Sequence, residues 1–460
     1  MSAPPLSMVH TPPDVGQRRG WSIDQWGVGV VALVLALWAA GYVVGFRVAL
    51  TALGTLALLG AAVGLVRPAL GLVSVSVLAA LDAPMRNFLL SGGLLRWNTL
   101  NYWLLLVLLL SIPQLLRMRD VPTRIGWFLC GILLIGLLIS PDLNDGVQHI
   151  TNMAAFFGLG VYFTRVGGDA RSWYWMAVIC GVTGAGAGVL YYRQEAALPY
   201  INPNAWAYCP LTSLFAICLA FQFAAERRRG QTILGLLGAI NFLWVFLSGS
   251  RGSLLVGVCC LCYLLLAIRG MRRRVTVVLV AALLALGISS QFSDLQEHTI
   301  HRVTYLFNSG ASLRSRTSGR SVLAEGGLKL MLSNPLGVGT GGFARNFGEL
   351  RFAGEGNQLG KIRAAHSAWV KTAAENGVIG LAVLAAFIAS FTIAGFAQRR
   401  STLRGLTLLT TGVLAFAFLS TEFQLKGLWF LAAGTAALLR MAVPPRARPE
   451  VVVWDVETNR

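Results

Sequence analysis

Hydropathy constrains this chain more than any other feature. Apolar runs of bilayer-spanning length recur from residue 28 to residue 440, and a helix needs about 20 such residues to cross the hydrocarbon core. Within a bilayer every backbone N–H and C=O must find its partner inside the protein, so runs of this kind fold as helices. Only 12% of the residues are charged and 55% are hydrophobic, whereas soluble domains are roughly 25% charged. The expected fold class is an all-α polytopic membrane protein. About fourteen transmembrane helices are expected, at residues 28–45, 48–66, 68–82, 100–116, 125–140, 147–163, 172–190, 205–225, 232–248, 251–268, 274–290, 366–390, 403–419 and 424–440.

Charge placement orients these spans. The formal net charge is +19, a balance that elsewhere suggests nucleic acid. Here the basic residues fall in short clusters between apolar runs: Arg18-Arg19, Arg67, Arg117 to Arg124, Arg165 to Arg171, Arg227 to Arg229, Arg269 to Arg274, Arg399 to Arg404, and Arg446. All lie on one side of the expected topology. That is the positive-inside pattern, which makes this side cytoplasmic and removes the argument for a nucleic-acid partner. Charges that break the pattern, on the outer side, are Arg86, Arg96, Asp142, Asp145, Arg193, Glu195, Arg251, Glu422 and nearby Lys426. They have the stronger claim to function, against a competing role in binding lipid head groups. Residues 1–27 lack the apolar region and cleavage site of a signal peptide, so the first run is expected to be retained as a helix. The seven cysteines sit in or beside apolar runs without metal or disulfide spacing.

The chain divides accordingly into a cytoplasmic tail (1–27), a first part of the transmembrane bundle (28–290), a large outer loop (291–365), the last part of the bundle (366–440) and a cytoplasmic tail (441–460). A loop of this length is too long for a passive connection. It carries Arg314, Arg316 and Arg320, then a pattern over 321–332 that suits a short amphipathic helix lying on the bundle. Asn334-Pro335 stops that helix. The following Gly337-Val338-Gly339-Thr340-Gly341-Gly342 lacks the Lys-Ser/Thr ending of a phosphate-binding P-loop, and reads as a bend that lets backbone approach a neighbour closely.

Single residues around this loop have chemical potential. Arg251 follows Ser248-Gly249-Ser250 at the outer start of a helix. A cation there opposes the helix dipole, while its planar fork suits two phosphate oxygens; snorkelling to lipid head groups is the competing reading. His366 follows Lys361 and Arg363 and is expected to begin the returning helix at the outer membrane edge. An imidazole is the side chain best suited to exchange a proton near neutral pH, and positive neighbours favour its neutral form. Asn204, after Asn202-Pro203, is placed to cap the helix beginning near Ala205. Residues 84–98 read as a short interfacial helix. Glu375 lies nine positions after His366, on the far side of the same expected helix, and a packing role toward the polar side of a neighbouring helix is expected for it.

Taken together, Asn202-Pro203-Asn204, Ser250-Arg251-Gly252, Arg320 followed by Asn334-Pro335-Leu336-Gly337-Val338-Gly339, and His366-Ser367-Ala368-Trp369 through Glu375-Asn376-Gly377-Val378-Ile379-Gly380 resemble the O-antigen ligase and O-antigen polymerase superfamily. The resemblance covers roughly residues 200–385; the first half is similar only in hydropathy. It implies a GT-C type fold in a bacterial inner membrane, with the site on the periplasmic side. It also implies an inverting glycosyltransferase that takes its glycan from a polyprenyl-diphosphate donor. On this resemblance Arg251 and Arg320 hold the donor diphosphate, with Arg316 a competing placement for the second, and His366 activates the acceptor hydroxyl. Arg193, Asn204, Lys361, Arg363 and Glu375 become acceptor or structural support. No metal and no cofactor are expected.

Chemistry agrees with that inventory. A lipid diphosphate brings its own leaving group, so fixed cations at phosphate oxygen and one base at the acceptor suffice, without the carboxylate pair of glycoside hydrolysis. The expected function is transfer to lipid A core, as in O-antigen ligases; repeat-unit polymerisation is the alternative. Membrane lipids and envelope-assembly proteins are the further partners. A lipid or polysaccharide transporter is the competing class, but it requires inverted repeats or polar residues threading the bilayer, and neither is evident.

Overall fold

The computed structural model describes residues 23–88, 99–195, 203–224, 228–267, 270, 320–349, 365–421, 423 and 425–442. Among these, all regular structure is helical. In chain order the helices are α1 (Ile23–Val44), α2 (Phe46–Val63), α3 (Pro68–Phe88), α4 (Thr99–Leu110), α5 (Ile112–Leu115), α6 (Val121–Leu138), α7 (Leu143–Val166), α8 (Ala170–Glu195), α9 (Pro203–Ala224), α10 (Arg228–Leu247) and α11 (Arg251–Ala267). After the undescribed stretch come α12 (Arg320–Ser333), α13 (Phe343–Glu349), α14 (Ala368–Phe396), α15 (Ser401–Ala417) and α16 (Lys426–Ala442).

This is a helical membrane protein. Among the described residues six segments are long and apolar enough to cross a bilayer: Ile23–Val43, Val121–Leu138, Ala170–Leu190, Trp206–Phe223, Arg229–Leu247 and Ala368–Phe396. Val48–Val63, Pro68–Asp82, Arg251–Ala267 and Ser401–Ala417 are shorter apolar helices. The expected span at 274–290 lies outside the described residues, as do Arg316, Lys361 and Arg363 and most of the segment 291–365.

The bundle is layered around α9, whose apolar window is 83% buried and which packs against α3, α8, α10, α11 and α16. The surrounding core holds Tyr162 and Phe163 of α7, Trp173 of α8 and Trp429 of α16, all inaccessible. Phe163 stacks on Trp173 at 5.0 Å, and Phe156 meets both Phe387 and Trp429 edge-on. The outer helices turn apolar faces outward: Phe128, Ile135 and Leu138 on α6, Leu33 and Leu35 on α1. A soluble protein would bury such faces, and here lipid covers them.

The two ends of the bundle differ in chemistry. At one end arginines bridge helices. Arg440 bonds to Asp120, to Thr123 at 3.2 Å and to Thr164 at 2.9 Å. Arg165 donates to Gln114 at 3.0 Å, to the Leu65 carbonyl at 3.1 Å and to Ser111 at 3.2 Å. Asp120 also caps α6, accepting from Thr123 N. The opposite end gathers the starts of α7, α9, α11, α14 and α16.

Three local expectations are corrected. The helix α3 continues through Pro84 to Phe88, so 84–88 extends a helix of the bundle rather than opening an interfacial one; residues 89–98 are not described. The helix α9 begins at Pro203, a residue suited to the first helical position because its missing N–H is unpaired there anyway. Asn204 therefore sits inside the first turn and not at the cap. His366 does not begin α14. Ser367 is the cap, its hydroxyl accepting from Val370 N at 3.3 Å, and His366 stands outside the helix. For Arg193 and Asn204 the description extends to backbone only.

Candidate functional site

The glycine run and the returning helix form one joint. α14 is broken at Gly377, whose φ of 62° and ψ of −159° are not helical. The strand of chain after α12 enters this break. Val338 N donates to Ala374 O at 3.0 Å and Gly339 N to Glu375 O at 2.9 Å, while Val378 N donates to Pro335 O at 3.0 Å. The loop thus supplies partners for backbone groups that the break in α14 leaves open. Close approach explains the glycines: a Cβ on Gly337 would lie 2.2 Å from Glu375 O, and one on Gly377 would lie 2.0 Å from Pro335 O. Thr340 secures the loop's other side, its N–H reaching Gly136 O at 3.0 Å and its hydroxyl Leu133 O at 2.9 Å. The neighbour expected from the glycine run is therefore a split helix together with the end of α6.

Buried charge stiffens the joint. The Glu375 carboxylate, on a residue only 1% exposed, accepts from Phe343 N at 3.1 Å at the start of α13. Lys371, one turn earlier, lies 3.8 Å from Glu375 and 2.7 Å from Asp145 near the start of α7, and its charge reaches His149 on the same helix. Glu375 has the packing role expected of it, bonding to the backbone at the start of α13 rather than to the side of a neighbouring span. α12 lies over the joint through Leu323 and Leu330, which pack with Phe343, Phe347 and Ala374.

Next to the joint, the turn between α15 and α16 connects two of the singled-out residues. Ala368 N, beside the Ser367 cap, donates to Phe418 O at 2.9 Å and Thr421 O at 2.8 Å, and Ser367 Oγ donates to Phe418 O at 3.0 Å. On the other side of the turn, Ser420 faces the start of α11; a Cβ on Gly252 would stand 3.0 Å from its hydroxyl. The segment carrying His366 and the helix start carrying Arg251 thus rest on the same four residues, 418–421. Ser250 precedes α11, but its hydroxyl donates to that of Ser253 at 2.9 Å instead of capping a backbone N–H. His366 is exposed, and with φ of 52° it is the one non-glycine residue in the left-handed region among those described. An exposed histidine held there carries local strain that its surroundings must fix, a frequent property of working residues.

Arg320 is exposed at the first residue of α12, and its charge acts on the Tyr208 hydroxyl of α9. Tyr208 in turn lines a narrow, largely apolar cleft into which Asp82 of α3, Thr212 of α9 and Lys426 at the start of α16 also face. Arg251 and His366 are accordingly tied to one end of the bundle through a shared turn, whereas Arg320, at the start of α12, makes no contact with that turn among the bonds described.

Residues 236–385 match the O-antigen ligase family model. Over these residues the chain is similar to O-antigen ligases. The match runs from within α10 to the second half of α14, covers less than half of the chain, and supports placing it in the O-antigen ligase and polymerase superfamily. No curated protein matches the chain. The family supports a function of ligase or polymerase type. Arg251, Arg320, His366, the glycine loop and the break in α14 all fall inside the matched segment, whereas Asp145, Asn152, the 418–421 turn and Lys426 fall outside it.

Sequence reasoning did not find the Lys371–Glu375–Asp145 cluster. Its signal was available: a lysine and a glutamate four apart near the start of an apolar helix, facing an acid on the outer side of another span.

Proposed function

We propose that the protein transfers a glycan from a polyprenyl-diphosphate donor to a sugar hydroxyl, with inversion at the anomeric carbon and without a metal. The hydroxyl oxygen attacks the anomeric carbon as the bond to the diphosphate oxygen breaks. The proton passes to the neutral imidazole of His366, and the lipid diphosphate departs with its charge met by Arg251 and Arg320. One displacement on the face opposite the leaving group inverts the centre. What carries this reading is the common seat of the Arg251 helix start and the His366 segment on residues 418–421, together with the exposed, left-handed backbone of His366. A diphosphate clamp and a base must stand in fixed relation for an in-line attack.

Lipid A core is the favoured acceptor, and repeat-unit polymerisation the alternative. The proposed setting is a bacterial inner membrane with fourteen spans. Residues 1–27 and 441–460 are then cytoplasmic, 28–290 and 366–440 form the bundle, and 291–365 is periplasmic. In that frame Arg193, Asn204, Lys361 and Arg363 give acceptor or structural support, Arg316 is the competing placement for Arg320 in the clamp, and Glu375 supports the site through the joint.

The test is turnover per folded molecule of His366→Ala and His366→Gln on purified lipid-linked glycan, beside donor affinity. A positioned base contributes about 10²- to 10⁴-fold, so both variants lose activity on that scale and keep donor binding. A protonated imidazole cannot accept the proton, so the wild-type rate declines on the acid side of neutrality and is maintained above it. Near-normal turnover in both variants would remove His366 as the base.

A further inference from the structure

The turn between α15 and α16 is held from below by residues that lie outside the matched domain. Lys426 closes the turn, is 1% exposed, and bonds through Nζ to Asn152 Oδ1 in the middle of α7. Asn152 is itself fixed by Asn101 of α4, whose amide donates to the same oxygen at 3.1 Å. Phe423, between them, packs edge-on to His149 at 5.1 Å and accepts from the Trp429 indole at 2.7 Å. A lysine this deeply buried is costly to keep unless its charge is well bonded. Apolar packing alone serves most other positions of α16. Lys426 is thus a buried charged fastening beneath the turn that touches both the Gly252 backbone and the Ser367–Ala368 backbone.

We infer that Lys426 is a positioning residue for glycan transfer: through Asn152 it sets the height of the 418–421 turn and so the placement of Arg251 relative to His366. The inference rests on the proposed function for its consequence in rate, but its geometric content stands apart from it. Lys426 touches neither donor nor acceptor in this scheme. Its removal leaves the clamp and the base present and misaligned.

The expected result for Lys426→Met is a kcat lowered by about 10- to 100-fold, since a misplacement of about 1 Å is enough for that loss. The donor KM should stay within about twofold, because Arg251 and Arg320 are unaltered. Asn152→Ala, which removes the acceptor and keeps the lysine, shows the same split and serves if the Met variant does not fold. A second readout needs no activity. The Cβ positions of residues 252 and 420 lie 3.7 Å apart, within the range of about 3.5–4.5 Å that a disulfide requires. Gly252→Cys with Ser420→Cys should therefore cross-link on mild oxidation, as read by mass spectrometry of the linked peptides. Adding Lys426→Met or Asn152→Ala should lower the yield. In either background the oxidised protein should regain turnover over its reduced form, because the bond replaces the lost fastening. Wild-type kcat in the folded variants overturns the inference, and so does a raised donor KM at unchanged kcat, which would make Lys426 a ligand contact. If wild-type protein transfers no glycan, the proposed function fails by itself, and the cross-linking yield still decides: equal yields with and without the Lys426–Asn152 contact overturn the positioning role.

Discussion

Gly377→Ala is the sharpest test of the joint between the glycine loop and α14. The methyl group would stand 2.0 Å from Pro335 O and 2.7 Å from both Pro335 C and Leu336 C, all backbone atoms with no rotamer to escape into. The residue's φ of 62° and ψ of −159° add a conformational cost of about 1–3 kcal/mol for any side chain. Relief requires the loop to withdraw, which breaks the bonds from Val338 N, Gly339 N and Val378 N, each with a net contribution of about 0.5–1.5 kcal/mol. The two contributions together amount to about 2.5–7.5 kcal/mol. The assay is the thermal unfolding midpoint of detergent-purified protein at a single scan rate, because membrane proteins of this size unfold irreversibly. A fall on the order of 5 °C or more is expected. Gly412→Ala is the control: it lies within α15, a Cβ there meets nothing within 4 Å, and alanine favours the helix by about 0.5–1 kcal/mol. If Gly377→Ala matches wild type while Gly412→Ala behaves as expected, the loop does not depend on the break as argued.

Further outcomes follow from the same geometry. Lys371→Met leaves Glu375 buried without its nearby cation, a class of change costing about 3–5 kcal/mol and less here because the other partner, Asp145, is 31% exposed. Adding Glu375→Gln should recover part of that loss, and strictly additive midpoints would show that the pair is not coupled. Arg251→Lys should restore only a small part of the activity lost in Arg251→Ala, since an ammonium lacks the two-pronged fork. Full wild-type turnover by Arg251→Ala removes it from the clamp, and a strict Mg²⁺ requirement after chelation contradicts the metal-free scheme. For topology, a cysteine at position 355 should react with a membrane-impermeant reagent applied from the periplasmic side; labelling only after the inner membrane is breached inverts the orientation.

Much of this architecture was legible because hydropathy and capping are local. Each helix that replaced an expected span could be read from its own residues, and α12 stops at Asn334-Pro335 for a reason visible in the chain. What escaped was non-local. The glycine run announced a close approach, but Gly377 lies in an apolar stretch whose composition says helix, so neither the break nor its occupant was apparent. α14 starts two residues later than hydropathy suggests because Ser367 is its cap, and that placement leaves His366 outside the helix with its unusual backbone. Lys426 and Asp145 stood out only as charges on the wrong side of the topology. Their partners, Asn152 and Lys371, are 274 and 226 positions away, beyond any pattern read along the chain.

The interlocked backbone at Gly377 also bears on how such proteins can be recombined. The segment between α11 and α14 reads along the chain as an excursion that could be cut at its ends and exchanged for another. Its last part is instead laced into the bundle, with Pro335, Val338 and Gly339 bonded to one helix and Thr340 to another. A chimera that imports this excursion alone would bring foreign glycines to a native break. The transplantable unit is 334–342 together with 367–380 and the facing end of α6, and grafts that respect this seam should insert where simple loop swaps fail.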